Sequence, residues 1–422
     1  MLCIQTDINR IQSKFPTSMN KAPRITSSLC PTPLSQAPQV CLPYPRTWSF
    51  ADACKGILGR AIVYALGKEP QQWPTVYALS RSQKQACPSN VKHSHIDLTQ
   101  SAAEMAKELQ GVEAEYVFFA AYLQRDSEQD NWNINGDMLE NFLSALEVTG
   151  ATKKLKRVIL TTGAKQYGVH LGQPKQPMEE SDPWVEGPGR PPNFYYRQQR
   201  ILAEKSKKSH WDWVVTYPND VIGVAKGNFM NLTASLGLYS AISKKLDGNL
   251  MFPGSEAFYT MFDSFTDSRL HAQFNLWAAL EQRCGNQAFN VVNGDNESWQ
   301  NMWPKLAKRF RCHIPRNQFT VGVGEDPGSV MDLAEVPPIG DNAASIGLEN
   351  NVSRSKVEQK IDLVKWSQRE DVQKAWAELQ QEHGLDKEAF EKATWGFLGF
   401  VLGRNFNIVI SMSKARRLGW TG

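Results

Sequence analysis

The chain has no apolar run approaching the roughly 18 to 20 residues of a membrane span. The nearest candidate, Trp395 to Met412, is interrupted by Arg404, Asn405 and Asn407, so no membrane partner is expected. It has no CxxC pair. Its seven cysteines, Cys3, Cys30, Cys41, Cys54, Cys87, Cys284 and Cys312, are odd in number in a long chain. They read as free thiols in a reducing, cytoplasmic compartment rather than as a disulfide framework. Strong charge is missing too. A net +4, scattered over 422 residues, gives no reason to expect a nucleic-acid partner. Three glycosylation sequons, at Asn231, Asn296 and Asn351, follow no secretory signal and read as chance matches. His93 and His95 share one strand face but have no third ligand, so no metal site is expected.

What is present is an ordinary globular composition, 41% hydrophobic and 21% charged, in two or three domains' worth of chain. Residues 1–47 stand apart, with seven prolines and a single acidic residue, Asp7. They show no apolar period and read as a disordered arm. The prolines argue against the amphipathic helix of a transit peptide. A misassigned first exon, reaching to about residue 54, would give the same composition.

Beyond the arm, strand-like runs at 75–79, 91–98, 116–121, 158–162 and 213–216 alternate with helical patterns at 60–67, 101–109 and 138–147. That alternation implies an α/β chain, a Rossmann-type doubly wound parallel sheet. The expected organisation is a nucleotide-binding domain over 48–225, with a further strand near 288–292, and a smaller, mostly helical substrate-binding cap over 226–422. Trp303 to Phe310 reads as a helix, with Pro304 in its first turn.

The stretch 157–223 carries the site. Val158-Ile159-Leu160 is a buried strand that runs into Thr161, Thr162 and Gly163, and ligands sit at such strand ends. Lys165 and Tyr167 therefore belong to a loop over a crevice. Upstream, Gly56-Ile57-Leu58-Gly59 supplies the last two glycines of a GxxGxxG turn, which lets a pyrophosphate approach the backbone at a helix N-terminus. The first glycine position holds Ala53, and Trp48 to Asp52 makes a poor first strand. Arg81, just past the second strand, stands where a protein grips a 2′-phosphate, which favours NADPH over NADH. Asp97, ending the third strand, is placed for the adenine.

These pieces, with Ala78-Leu79-Ser80-Arg81, His95-Ile96-Asp97-Leu98, Thr162-Gly163-Ala164-Lys165-Gln166-Tyr167, Asn193-Phe194-Tyr195-Tyr196 and Pro218-Asn219, resemble a known family. The chain is similar to the atypical extended short-chain dehydrogenase/reductases of the progesterone 5β-reductase and iridoid synthase type, in their fungal branch. The resemblance runs from about residue 54 to the end. It implies cofactor contacts at Gly56, Ile57, Leu58, Gly59, Ser80, Arg81, Asp97, Leu98, Ala120, Thr162, Gly163, Lys165, Tyr196, Pro218, Asn219 and Val221. It implies catalysis by Tyr196 and Lys165, with Tyr195 as the alternative tyrosine. Ordinary superfamily members use a serine, a tyrosine and a lysine four residues after the tyrosine. Counting from Tyr196, the lysine slot holds Arg200 and the serine slot Gly163; in the family that this chain resembles a lysine of the TGxK loop takes over, which implies Lys165 here.

The implied reaction is a 1,4-reduction of an enone or enal by NADPH, in a setting analogous to secondary metabolism. The expected partners are a small-molecule substrate and a second copy of the chain. Two other readings stand beside this one: a carbonyl reductase or alcohol dehydrogenase on the same fold, and a non-catalytic nucleotide-binding relative. Ala53, Ser82 in place of a second arginine, and an end at Trp420-Thr421-Gly422 depart from the family pattern.

Overall fold

A computed structural model describes residues 48–52, 56–81, 88–319 and 328–422. The expectations for residues 1–47, Ala53 and Ser82 lie outside the described residues. Seven parallel strands form one sheet: β1 (Trp48–Asp52), β2 (Thr75–Ser80), β3 (Val91–His95), β4 (Tyr116–Phe119), β5 (Arg157–Thr161), β6 (Asp212–Tyr217) and β7 (Gln287–Asn290). Their spatial order is β7-β6-β5-β4-β1-β2-β3, the doubly wound arrangement expected from the alternation. β4 is buried at every position, as is β5 except for Thr161. That is why these strands read as unbroken apolar runs and not as alternating ones.

One expectation is overturned here. Trp48–Asp52 is a central strand, paired on one side with β2 from Trp48↔Thr75 to Asp52↔Leu79 and on the other with β4. A strand bonded on both edges is held by its backbone ladder, which does not require the apolar side chains whose scarcity argued against it.

Helix α1 (Ile57–Lys68) follows β1. α2 (Ala102–Glu108), α3 (Glu128–Val148) and α4 (Phe194–Lys207) form one packed layer. After them come α5 (Leu232–Leu246), α6 (Ser268–Leu280), α7 (Trp299–Phe310), α8 (Glu370–His383) and α9 (Trp395–Gly403). α6 packs against α1 in the other layer. The sheet and these layers share one apolar core.

A second core gathers Tyr239 of α5, Trp299 and Trp303 of α7, Trp366, Trp376 of α8 and Leu398 of α9. Here aromatic rings replace the missing sheet: Phe252 stands edge-on to Trp303 at 5.0 Å, and Tyr239 edge-on to Trp366 at 4.9 Å. The packing does not follow a cut at residue 225. α6, β7 and the run from Phe406 to Trp420 return to the first core, where Trp420 meets Phe274 edge-on at 5.1 Å. α7 begins at Trp299, so Pro304 lies in its interior and not in its first turn. Among the described residues no helix is long and apolar enough to cross a membrane.

Candidate active site

The carboxyl ends of β2, β4, β5 and β6 open into a cleft of about 980 Å³. Gly56, Ile57, Leu58 and Gly59 line one end, at the start of α1. Arg60 makes the first bond inside that helix, to the Gly56 carbonyl at 3.0 Å. The amides ahead of it have no intrahelical acceptor, and no side chain caps them. A pyrophosphate suits such an end, because the free N–H groups and the helix dipole both favour negative charge. Ser80, Arg81, Asp97, Leu98 and Ala120 continue the wall. Burial pushes the Asp97 carboxyl up, but Thr99 overrides it. The Thr99 N–H and hydroxyl both donate to Asp97 Oδ1, at 3.0 and 2.8 Å, and together with the charge of Arg81 they hold the carboxyl below its ordinary value.

Two loops converge at the other end. The Ala164 N–H donates to the Pro218 carbonyl at 3.0 Å, and the Thr162 N–H to the Thr216 carbonyl at 2.9 Å. Thr162, Gly163 and Lys165 are thereby fixed beside Pro218, Asn219 and Val221, all on the cleft wall. The Asn219 amide nitrogen is committed elsewhere, to Asp263 Oδ1 at 3.1 Å and the Ser264 carbonyl at 2.7 Å. Asn193 joins the Lys165 loop to α4. Its Oδ1 accepts from the Tyr195 N–H at 3.1 Å, and its Nδ2 donates to the Lys165 carbonyl at 2.9 Å. That cap sets the phase of the helix and so decides which tyrosine faces the cleft.

The tyrosine that faces the cleft is Tyr195, not Tyr196. A side-chain carbon at Gly163 would lie 3.2 Å from the Tyr195 hydroxyl, so the phenol fills the space over the empty serine slot. Tyr196 is turned into the protein. Its hydroxyl donates to the Gln166 carbonyl at 2.7 Å and accepts from the Val185 N–H at 2.9 Å, and its ring stacks on Trp184 at 4.5 Å. Adjacent helix residues point about 100° apart, so only one of the pair can face the cleft. The catalytic and cofactor roles expected of Tyr196 are therefore not supported by its position. All the other expected cofactor positions line the cleft.

The correction moves the lysine slot as well. Four residues after Tyr195 stands Gln199, which is buried. It donates to Gln166 Oε1 at 2.8 Å and accepts from the Tyr217 hydroxyl at 2.7 Å. Arg200 lies on the surface and pairs with Glu186. Tyr167, expected over the crevice, is instead buried and bonded to Asn290 at 2.6 Å.

Lys165 pairs with Glu128, the first residue of α3, and its ammonium lies 5.5 Å from the centre of the Phe194 ring. Burial lowers the Lys165 pKa, and Glu128 partly restores it. Burial raises the Tyr195 pKa, and the Glu128 charge raises it further. The cleft thus presents a neutral phenol and a paired ammonium, both neighbours of the Phe194 ring. A phenol held protonated donates a hydrogen bond well but is a poor base. Tyr122, Glu128, His170, Phe229, Phe397 and Arg404 line the same cleft and were not foreseen from the sequence.

A family model described as a PRISE-like Rossmann-fold domain matches residues 64–332. An uncharacterised protein of Schizosaccharomyces pombe is 39% identical, over 87% of this chain and 90% of its own. The short chain dehydrogenase gsfE of Penicillium aethiopicum is 28% identical, over 90% and 94%. A 3-oxo-Delta(4,5)-steroid 5-beta-reductase of Arabidopsis thaliana is 28% identical, over 73% and 69%. The strand order, the open helix end at Gly56 and the Lys165–Tyr195 corner agree with what these matches establish: the chain belongs to the PRISE-like Rossmann-fold family and is an oxidoreductase of the short-chain dehydrogenase/reductase type.

Proposed function

We propose that the protein is an NADPH-dependent reductase of activated C=C bonds in small α,β-unsaturated carbonyl compounds. The observation that carries this reading is the corner itself. Tyr195 and Lys165 face the cleft, while the usual serine and lysine slots hold Gly163 and Gln199. Gly56 to Gly59 would hold the pyrophosphate, and Arg81 the 2′-phosphate. When bound, the nicotinamide supplies a hydride to the β-carbon. Tyr195 donates a hydrogen bond to the carbonyl oxygen as it gains negative charge, and the Lys165 charge stabilises the same oxygen. A proton from solvent completes the α-carbon. The neutral state of Tyr195 favours this donor role over the base that alcohol oxidation needs. The relative named for a Δ4,5 3-oxosteroid supports the substrate class, since such a steroid is an enone.

The test is product analysis with NADPH and a simple enone. A saturated ketone supports the reading, and an allylic alcohol would replace it with carbonyl reduction. In the same assay, Arg81→Ala should remove most of the preference for NADPH over NADH. An unchanged ratio would show that the 2′-phosphate is held elsewhere.

A further inference from the structure

Lys165 has two tasks that conflict. Its ammonium must stay charged in a largely closed cleft, and its N–H groups must be open to a carbonyl oxygen. Glu128 serves the first and opposes the second, because a carboxylate accepts the N–H groups that the oxygen would use. An aromatic face avoids the conflict. Its negative π surface attracts a cation without taking a directional hydrogen bond.

Phe194 presents such a face. It is the first residue of α4, directly after the Asn193 cap. It is buried, yet it belongs to neither apolar core. Its ring instead meets groups of the cleft wall. The Lys165 Nζ lies 5.5 Å from the ring centre. The Tyr195 ring stands edge-on to it at 4.5 Å, and the Tyr122 ring stacks on it at 5.4 Å with the planes 16° apart. Tyr122, Lys165, Phe194 and Tyr195 all line the cleft. A ring with no polar atom of its own therefore touches both groups assigned to the carbonyl oxygen, and the Tyr122 stack limits its rotation.

We propose that Phe194 is a positioning residue of this site. Its ring holds the Lys165 ammonium by a cation–π contact, so that the charge keeps its place when a carbonyl oxygen draws it from Glu128. The edge contact with Tyr195 ties the phenol to the same ring. Phe194 itself neither gives nor takes a proton. This rests on the enone reductase reading, which assigns Lys165 and Tyr195 to that oxygen.

The test changes the π face and leaves the shape. In the full chain, Phe194 is replaced by phenylalanine carrying one, two and three ring fluorines, which drain the π face stepwise. Phe194→Leu removes the face, and Phe194→Tyr keeps it. Each form is assayed with NADPH on 2-cyclohexen-1-one, in the wild-type and in the Lys165→Ala background. The kcat should fall with each added fluorine, and by about tenfold in Phe194→Leu, the order of a cation–π contact held out of water. Phe194→Tyr should stay within about threefold. KM and NADPH affinity, the latter read by fluorescence, should hardly move. In the Lys165→Ala background the series should be flat. A series that is flat with Lys165 present, or equally steep without it, overturns the inference and leaves enone reduction standing. The fluorinated forms keep the native shape, so they carry the test even where Phe194→Leu does not fold. Failure of the wild type to reduce the C=C bond of the probe overturns the enone reading, and the inference with it.

Discussion

Two cation–carboxylate groups face the same cleft, and they are built oppositely. Lys165 and Glu128 keep 18% and 32% of their side chains exposed. Arg404, Asp220 and Asp263 keep 3%, 4% and 1%. In the second group Arg404 Nη2 donates to Asp220 Oδ1 at 3.2 Å, and Asp263 Oδ2 lies 3.7 Å from Nη1. Asp220 sits at φ 31°, a left-handed conformation that favours glycine, and the ion pair holds it there. The sealed group fastens the segment after α9 to the loop after β6, so it supports the cleft. The open pair can release its ammonium to a ligand, so it can take part in chemistry. A charge pair beside a cleft is therefore no guide to function until its exposure is known.

The comparison breaks most visibly if the sealed group is opened. Arg404→Leu leaves two carboxylates buried together and should cost about 3 to 5 kcal/mol, read from the urea midpoint. A loss under about 1 kcal/mol would mean the group is not sealed. Its pH signature follows from Asp263, whose pKa is raised by burial first and by the Asp220 charge second. A carboxyl raised on folding contributes stability that is full below its unfolded value of about 3.9 and is lost as pH climbs through the folded one. Asp263→Asn should therefore flatten the decline in stability as pH rises from about 3.9. An unchanged slope would assign that decline to other groups.

The next effect is kinetic and belongs to the open side. Tyr195→Phe should lower kcat about 100- to 1000-fold, the worth of one oxyanion donor. Lys165→Ala should cost a comparable factor, and the two losses should not add, because the groups act on one oxygen. Tyr196→Phe should do the reverse. It should leave kcat within a fewfold but destabilise by about 1 to 3 kcal/mol, because the Val185 N–H loses its partner. An opposite ranking of the two tyrosines would return the site to Tyr196.

Much of this arrangement was legible in the sequence, and the exceptions have physical causes. β4 to β6 announced themselves as apolar runs, and of the residues after β5 expected over the cleft Lys165 lines it whereas Tyr167 does not. Which tyrosine points inward was not legible, because it depends on where α4 starts, and Asn193 sets that through its cap. Glu128 was missed because the apolar pattern located α3 only over 138–147, whereas the helix begins ten residues earlier. Its first turns bury Asn131 and Asn135, polar residues that add nothing to an apolar pattern. Their side-chain oxygens instead accept from the Arg125 and Leu123 N–H groups, each at 2.8 Å. Gly136 lies inside the same helix. It stands where Arg197 of α4 crosses, and a side-chain carbon there would lie 2.4 Å from that arginine.

A smaller effect would sharpen the account of the open pair. Glu128→Gln removes the charge that supports the Lys165 ammonium against burial. The Lys165 pKa should fall further, and the alkaline limb of the kcat profile should move to lower pH. Stability should change far less than in Arg404→Leu. An alkaline limb that stays in place would show that the Lys165 charge does not limit turnover.

The smallest effect is expected at Arg200, and it is informative because it is small. Arg200 and Glu186 keep 44% and 46% of their side chains exposed, and the guanidinium lies over the Trp184 ring at 5.1 Å. Water screens such a pair, so Arg200→Ala should change stability by only about 0.5 kcal/mol. Turnover should stay within about twofold, because the residue does not line the cleft. This variant therefore serves as the exposed reference for the other two groups, sealed and open. It also tests the position of the tyrosine from the outside. In the usual arrangement a basic residue four places after the catalytic tyrosine is essential, and Arg200 has that spacing only from Tyr196. If Arg200→Ala abolished activity while Lys165→Ala did not, Tyr196 would have to face the substrate in the working enzyme. Carbonyl reduction would then displace C=C reduction as the function.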